Sequence, residues 1–456
     1  MQSGQLQRRL GLTSAISITV GAVIGSGIFL KPLAVAQAMP SEAWIHALWI
    51  GLGLVCLCGA FAYAELGAML PEAGGQYSFL REGWGRGVGF LYGWTFFWVI
   101  NAGTIAALSL GFAENLLPAL GVDAEAEKAS PFWMRIVPVT MILVLALVNH
   151  FGVAIGALVQ NLSTFAKVGA LGLIIVGGAF AVGDAGATAA APAPHAATAI
   201  TSAGLVSAFM AIFWAYEGWY QMPFNAAELK RPERNLPLGL IGGMVILIAV
   251  YLLVNLVYLR VVPFAEMQAL PEGTPTTHVA TLAVARVFSP AVAGYLTLFI
   301  AISIFGAANP NMLSSPRAFY AMGKDGLVPR ALERVSPRWG TPTVAIWVQA
   351  AAGILIVLFL RRFGDVTDFV VFAAFLFYAL TVAAVYRLRR LRPDAVRPYR
   401  CTGYPFTPAL FIAVSIAFVV ATLRDPAGQR NALKGLAIIA AGLPYYAWLQ
   451  SRRRTS

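Results

Sequence analysis

The sequence predicts an all-α integral membrane protein, and three observations carry that prediction. Of its 456 residues 59% are hydrophobic and only 11% are charged, far from the composition of a soluble chain. Twelve apolar runs reach the roughly 20 residues that crossing the hydrocarbon core requires. Two of them, the first and the sixth, are interrupted near their middles, where a membrane helix is ordinarily continuous.

In chain order the runs lie near residues 11–37, 42–70, 84–118, 131–150, 156–183, 201–227, 237–261, 277–322, 341–361, 366–390, 405–423 and 431–450. A soluble protein with several buried helices does not supply so many. Arg8 and Arg9 before the first run, with Ala34-Val35-Ala36 at its end, sketch a secretory signal. The run is longer than a signal core, however, and eleven others follow it. The loops are short, and the longest outer segment, the Ala-Pro-rich "GDAGATAAAPAPHAATA" at 183–199, reads as a flexible connector. Residues 1–456 are therefore expected to form one transmembrane domain.

The basic residues set its orientation through their excess in cytoplasmic loops. With a cytoplasmic amino terminus, 21 of the 32 Lys and Arg face inward, 9 face outward, and Lys31 and Lys167 lie within runs. Both termini are thus expected in the cytoplasm of a cell membrane, inner or plasma. The net charge of +12 reflects this bias and gives no reason to invoke nucleic acid. The Arg-rich run 387–400 is expected to meet anionic head groups. Cys56, Cys58 and Cys401, with His46, His150, His195 and His278, show no metal-ligand spacing. No Gly-rich phosphate loop appears, which argues against a nucleotide-driven pump. No cofactor is expected.

The first interruption is "TVGAVIGSGIFLKP", residues 19–32, with Gly25, Ser26 and Gly27 in succession. The second is "FWAYEGWYQMPFNAAELKRPERNLP", residues 213–237, with Glu217 and Gly218 inside an aromatic stretch. Glycines such as Gly21 and Gly25 also serve close helix packing. Two broken runs at corresponding places in two halves instead point to a transporter's substrate site. A broken helix exposes amides at the start of one half and carbonyls at the end of the other, tolerable only beside a cavity. An amino acid zwitterion satisfies both: its carboxylate takes the amides of Gly25, Ser26 and Gly27. Its ammonium meets the carbonyls of Ile24, Trp214 and Ala215, and a contact with Glu217 stays open.

These two stretches, with "AYAELGAMLPEAGGQYSFL" (62–80), "ELKRPERNLP" (228–237) and "SSPRAFYAMGKDGLVP" (314–329), resemble the amino acid, polyamine and organocation transporters. The resemblance runs from about residue 8 to 405 and is strongest to the L-amino acid transporter branch and its bacterial Ser/Thr-exchanger relatives. It implies an inverted repeat of five plus five helices, helices 1 and 6 unwound at mid-membrane, over about residues 11–390. Helices 11 and 12 follow at about 405–450. It also implies sodium-independent exchange and an outer gate at Trp214. Lys167 matches the family's helix 5 lysine, placed where sodium sits in sodium-coupled cousins and bridging helix 5 to helices 1 and 8. Ser314 and Ser315 match the helix 8 side.

From the residues alone, Lys167 lies about ten positions from its helix's inner edge, roughly 15 Å deep at 1.5 Å per residue. A residue at that depth is either functional or a structural tether. Should it lose its proton, since burial disfavours charge, the chain would be a proton symporter. Glu217 stands where animal relatives often have glycine, and an anion there would favour a cationic amino acid or polyamine, pair with a protein cation, or bind a proton. Pro310 in "GAANPN" should kink helix 8. The loop "GVDAEAEKAS" (121–130) lacks the cysteine by which animal members bond a heavy subunit, so no such partner is expected. Glu65 either pairs locally or gates, and Glu114 and Lys31 read as snorkelling residues. No convergent catalytic group suggests an enzyme, and no output domain suggests a sensor.

Overall fold

The computed structural model describes residues 6–122, 132–180, 200–270, 278–359 and 363–454. The connector 183–199 and most of the loop 121–130 lie outside the described residues. Among the described residues the secondary structure is helical, apart from one isolated parallel bridge between Leu10 and Leu229.

The first span is divided into α1 (Leu12–Val23), the single turn α2 (Gly27–Leu30) and α3 (Pro32–Ala38), followed by the continuous α4 (Glu42–Met69). Ser41 and Glu42 open α4, and Pro71 forbids its extension. After α5 (Gln76–Trp84), the third span runs as α6 (Arg86–Thr95), a π turn (Phe96–Asn101) and α7 (Ala102–Ala119). Then come α8 (Trp133–His150) and α9 (Val153–Phe180). The sixth span is α10 (Ser202–Tyr216), a break at Glu217 and Gly218, and a 3-10 segment (Trp219–Glu228). Next are α11 (Pro232–Val261), α12 (Phe264–Ala269) and α13 (Val279–Val287). The eighth span is α14 (Pro290–Ser314) with α15 (Pro316–Lys324), and α16 (Thr343–Phe359), α17 (Phe363–Leu391), α18 (Phe406–Arg424) and α19 (Pro426–Arg454) complete the chain.

Among the described residues ten helices are long and apolar enough to cross a membrane. The other two expected runs are present as shorter helices, α10 with 15 residues because the break truncates it and α16 with 17. The long eighth run is divided where Ser289 and Pro290 start a new helix, the Ser289 hydroxyl accepting from the Val292 amide at 3.3 Å. Pro310 lies within α14, which runs on to Ser314, before Pro316.

Two groups of helices surround the site. In one, α4 packs along α11 and α11 along α1; in the other, α7 packs on α14, α8 and α16. Between them, α9 shows how a bilayer selects faces. Leu158, Leu162, Phe165 and Leu173 point outward, exposed, while Gln160, Thr164 and Lys167 are buried. Polar residues three and four apart share one stripe of a helix, and here that stripe faces protein.

Toward one end of the molecule, part of the Arg-rich run pairs with protein, while Arg387, Arg390, Arg392 and Arg400 stay exposed. Arg389 Nη2 pairs with Glu65 Oε2 at 2.6 Å, Arg397 reaches the same carboxylate at 3.4 Å, and Arg392 pairs with Glu82. Arg387 lies over the Trp84 ring, 4.9 Å from its centre. The Cys401 amide donates to Glu65 Oε2 at 2.6 Å, so Glu65 pairs with the end of α17 and its following loop. Burial pushes the Cys401 thiol up to about 11, which keeps it neutral and unreactive.

Candidate functional site

The two breaks come together. At the first, Ile24 turns extended (φ −69°, ψ 90°) and Gly25, Ser26 and Gly27 contribute three successive amides with no backbone partner. At the second, Gly218 takes φ +110°, a conformation that favours glycine, against the Ala22 carbonyl. A Cβ on Gly27 would lie 2.3 Å from Ala215 Cα, so only glycine lets the two backbones approach this closely. The Tyr251 hydroxyl of α11 sits 3.1 Å from Val23 O and 2.9 Å from Ala215 O, tying one break to the other. Trp214 Nε1 donates to Ser26 Oγ at 3.2 Å across the gap.

A narrow cavity borders this junction. It is lined by Gly25, Ser26, Gly27, Trp214 and Glu217, together with Gly218 and Tyr220, Thr104 and Leu108 of α7, and Ala307 and Asn311 of α14. Ile24 and Ala215 are not among its lining residues. Their carbonyls are occupied, by Lys167 Nζ at 2.7 Å and by Tyr251. A carbonyl oxygen has two lone pairs, so neither bond closes the group to a second donor. The close-packing reading of the glycines also has physical content, since Gly21 abuts Gln160 and Thr164 and Gly25 abuts Ala307.

Glu217 is 7% exposed and accepts from the Tyr378 hydroxyl of α17 at 2.6 Å. Tyr220 is a second phenol at the same carboxylate. Among the described residues no cation pairs with it. The phenols solvate the acid without neutralising it, and an unneutralised carboxylate at this depth is costly.

Lys167 is held by the end of the broken helix. Its Nζ donates to Gly21 O at 3.0 Å and to Ile24 O, carbonyls that the missing next turn would otherwise have bonded. One and two turns away on α9, Thr164 Oγ1 and Gln160 Nε2 donate to Ser17 O at 3.0 and 3.1 Å. Gln160 Oε1 accepts from Asn309 of α14, whose own Oδ1 accepts from Asn149 of α8. Lys167 approaches α14 at Gly306, about eight residues before Ser314 and Ser315. Those serines bond elsewhere, Ser314 Oγ with Asn225 at 2.6 Å and Ser315 Oγ with Asn101 at 2.7 Å. The bridge from Lys167 to helix 8 thus runs through a glycine contact, and the serines tie α14 to the sixth and third spans.

Thr104, Asn311, Tyr220 and Tyr378 were not anticipated. Thr104 and Asn311 had a signal, as isolated polar residues in apolar runs, but nothing in the sequence says which way they face. Among the described residues no cluster of His, Cys, Asp and Glu could hold a metal.

The family model described as amino acid permease matches residues 10–443. The serine/threonine exchanger SteT of Bacillus subtilis is 30% identical over 98% of this chain and 98% of its own length. The b(0,+)-type amino acid transporter 1 of Homo sapiens is 32% identical, over 92% of this chain and 83% of that protein. The human cystine/glutamate transporter is 30% identical over 97% of this chain and 85% of its own length.

Proposed function

This chain belongs to the amino acid permease family, and from that premise we propose that it is a sodium-independent amino acid antiporter working by alternating access. The observation that carries the reading is the junction of the two breaks, where three amides without a backbone partner and the Glu217 residue line one cavity. Free amides at the start of a helical turn suit a substrate carboxylate. The carbonyls around the breaks suit its ammonium. The relatives' names, a serine/threonine exchanger and amino acid transporters, support the same class of cargo.

The finer architecture belongs to this proposal. The ten long helices and two shorter ones are read as twelve spans, with residues 11–390 forming a five-plus-five inverted repeat and helices 11 and 12 added. The α1, α4, α10 and α11 group rocks against the α7, α8, α14 and α16 scaffold. Trp214, donating to Ser26, is the outer gate. The chain is placed in the cell membrane with both termini cytoplasmic and works without a disulfide-linked heavy subunit.

Two experiments test the site. Gly27→Val puts a branched side chain onto Ala215 and should abolish stabilisation of the purified protein by substrate while leaving it folded. Wild-type stabilisation would remove the breaks from the binding site. The second concerns the uncompensated Glu217, which favours substrates carrying an extra positive charge and equally supports a runner-up reading as a proton site in symport. Glu217→Gln should weaken competition by arginine or lysine about tenfold, near 1.4 kcal/mol, and leave serine unaffected. An equal effect on both classes would contradict the side-chain role.

A further inference from the structure

Apart from the Lys167 contacts, a second set of polar side chains joins the 3-10 segment, α14, α16 and the π turn. Asn311, which borders the cavity, accepts at Oδ1 from Gln221 Nε2 at 2.7 Å, and its carbonyl accepts from Gln349 Nε2 at 3.0 Å. A turn further along α14 come the bonds of Asn225 to Ser314 and of Ser315 to Asn101. The set ends at a fully buried ion pair, Arg317 Nε to Glu228 Oε2 at 2.8 Å and Nη2 to Oε1 at 3.0 Å.

Each of the four linking amides keeps one buried atom without a protein partner among the described residues: Gln221 Oε1, Asn225 Oδ1, Gln349 Oε1 and Asn101 Nδ2. All four residues are at most 1% exposed. A seam that only had to hold helices together would be better built from apolar residues of the same shape, because an unsatisfied buried amide is a net loss. The ladder on α9 differs. Every side-chain group there that touches the broken helix has its partner, and the orphaned oxygens nearby, Asn149 Oδ1, Asn161 Oδ1, Ser163 Oγ and Ser303 Oγ, bond nothing in that helix.

We propose that substrate passes between the cavity and the Glu228 end of the molecule along the seam of Gln221, Asn225, Asn311, Gln349 and Asn101. The bonds seen here, of Gln221 to Asn311, of Gln349 to the Asn311 carbonyl, of Asn225 to Ser314 and of Ser315 to Asn101, are its closed inner gate, replaced by water and by the substrate's ammonium and carboxylate when it opens. Polar groups at membrane depth are tolerated where they line a hydrated path. The α9 ladder stays intact through the same movement, so Lys167 travels with the broken helix and does not line the route. This rests on the transporter reading above.

The test uses the full chain with Cys56, Cys58 and Cys401 replaced by alanine, carrying either Asn225→Cys or Thr164→Cys. Variants are compared in inside-out vesicles during amino acid exchange, using a membrane-impermeant, charged methanethiosulfonate. Asn225→Cys is expected to react about tenfold faster than Thr164→Cys and only while exchange proceeds, since the reagent reaches only the opened fraction. Faster reaction at Thr164→Cys, or no reaction at either while wild-type vesicles exchange, overturns the route. Gln349→Leu provides a check without a new thiol. Taking away an acceptor that opening would hydrate should lower turnover about tenfold at unchanged KM. Normal turnover contradicts the proposal. Wild-type vesicles that exchange no amino acid at all would defeat the transporter reading itself.

Discussion

Two polar seams, one along α9 and one along α14, are built differently. On the α9 side, Gln160, Thr164 and Lys167 recur at helical spacing and place donors on Ser17, Gly21 and Ile24, carbonyls of the broken helix. On the α14 side, Gln221 bonds the Asn311 side chain, Gln349 the Asn311 carbonyl and Asn225 the Ser314 hydroxyl, and Gln221, Gln349 and Asn225 each retain an oxygen with no partner in the protein. The first seam supplies what the interrupted helix lacks. The second leaves hydrogen-bonding capacity unused in a region where water is scarce. A seam that must hold can saturate its groups, whereas a seam that must part and hydrate cannot be fully satisfied in its closed form.

The largest effect should come from the anchor of the second seam. Arg317→Met leaves Glu228 fully buried and unpaired, which should destabilise the protein by about 3–5 kcal/mol. The double variant with Glu228→Met should regain most of that loss in a chemical or thermal unfolding series. If the double variant remains as unstable as the single one, the pair is doing more than neutralising itself. At the first seam, Lys167→Ala strips a donor from two carbonyls and should slow transport on the order of 100-fold, about 3 kcal/mol. Substrate affinity should fall much less. A variant with normal turnover would reduce the lysine to a tether, and the contrast between the seams would lose its functional side. The smallest effect is expected for Thr164→Val, which removes one bond to Ser17 O from a seam that keeps its others. Stability should drop by about 1 kcal/mol with little change in turnover. A transport defect as large as that of Lys167→Ala would show that the ladder moves during the cycle.

Much of this arrangement was legible in the sequence, for identifiable reasons. Span-length apolar runs follow from bilayer thickness, and they located helices such as α4, α11 and α18 within a few residues. The breaks were visible because Gly25-Ser26-Gly27 and Glu217-Gly218 conflict with their apolar surroundings. What composition could not carry was direction. Thr104 and Asn311 reach the cavity, and Gln221 and Asn225 turn toward α14, by facing choices that only packing fixes. The π turn at Phe96–Asn101 leaves no mark in an apolar pattern, yet it begins the turn of chain that brings Asn101 to Ser315. Charge was misleading in one place. Arg317 counts toward the inward bias as though it met water, but both it and Glu228 have 0% side-chain exposure. Glu65 and Glu82, distant in sequence, pair with two arginines of the Arg-rich run, contacts that composition does not foretell.

The measurement that tests the account most directly is uptake of labelled amino acids into proteoliposomes holding the purified protein, without sodium. Empty vesicles are compared with vesicles preloaded with unlabelled serine, alanine, leucine, arginine or putrescine. Uptake confined to vesicles preloaded with a transported amino acid is the predicted result, and the effective internal solutes would define the side chains that the cavity and Glu217 accept. Concentrative uptake into empty vesicles under an inward proton gradient would contradict the exchanger account and point to proton-coupled symport.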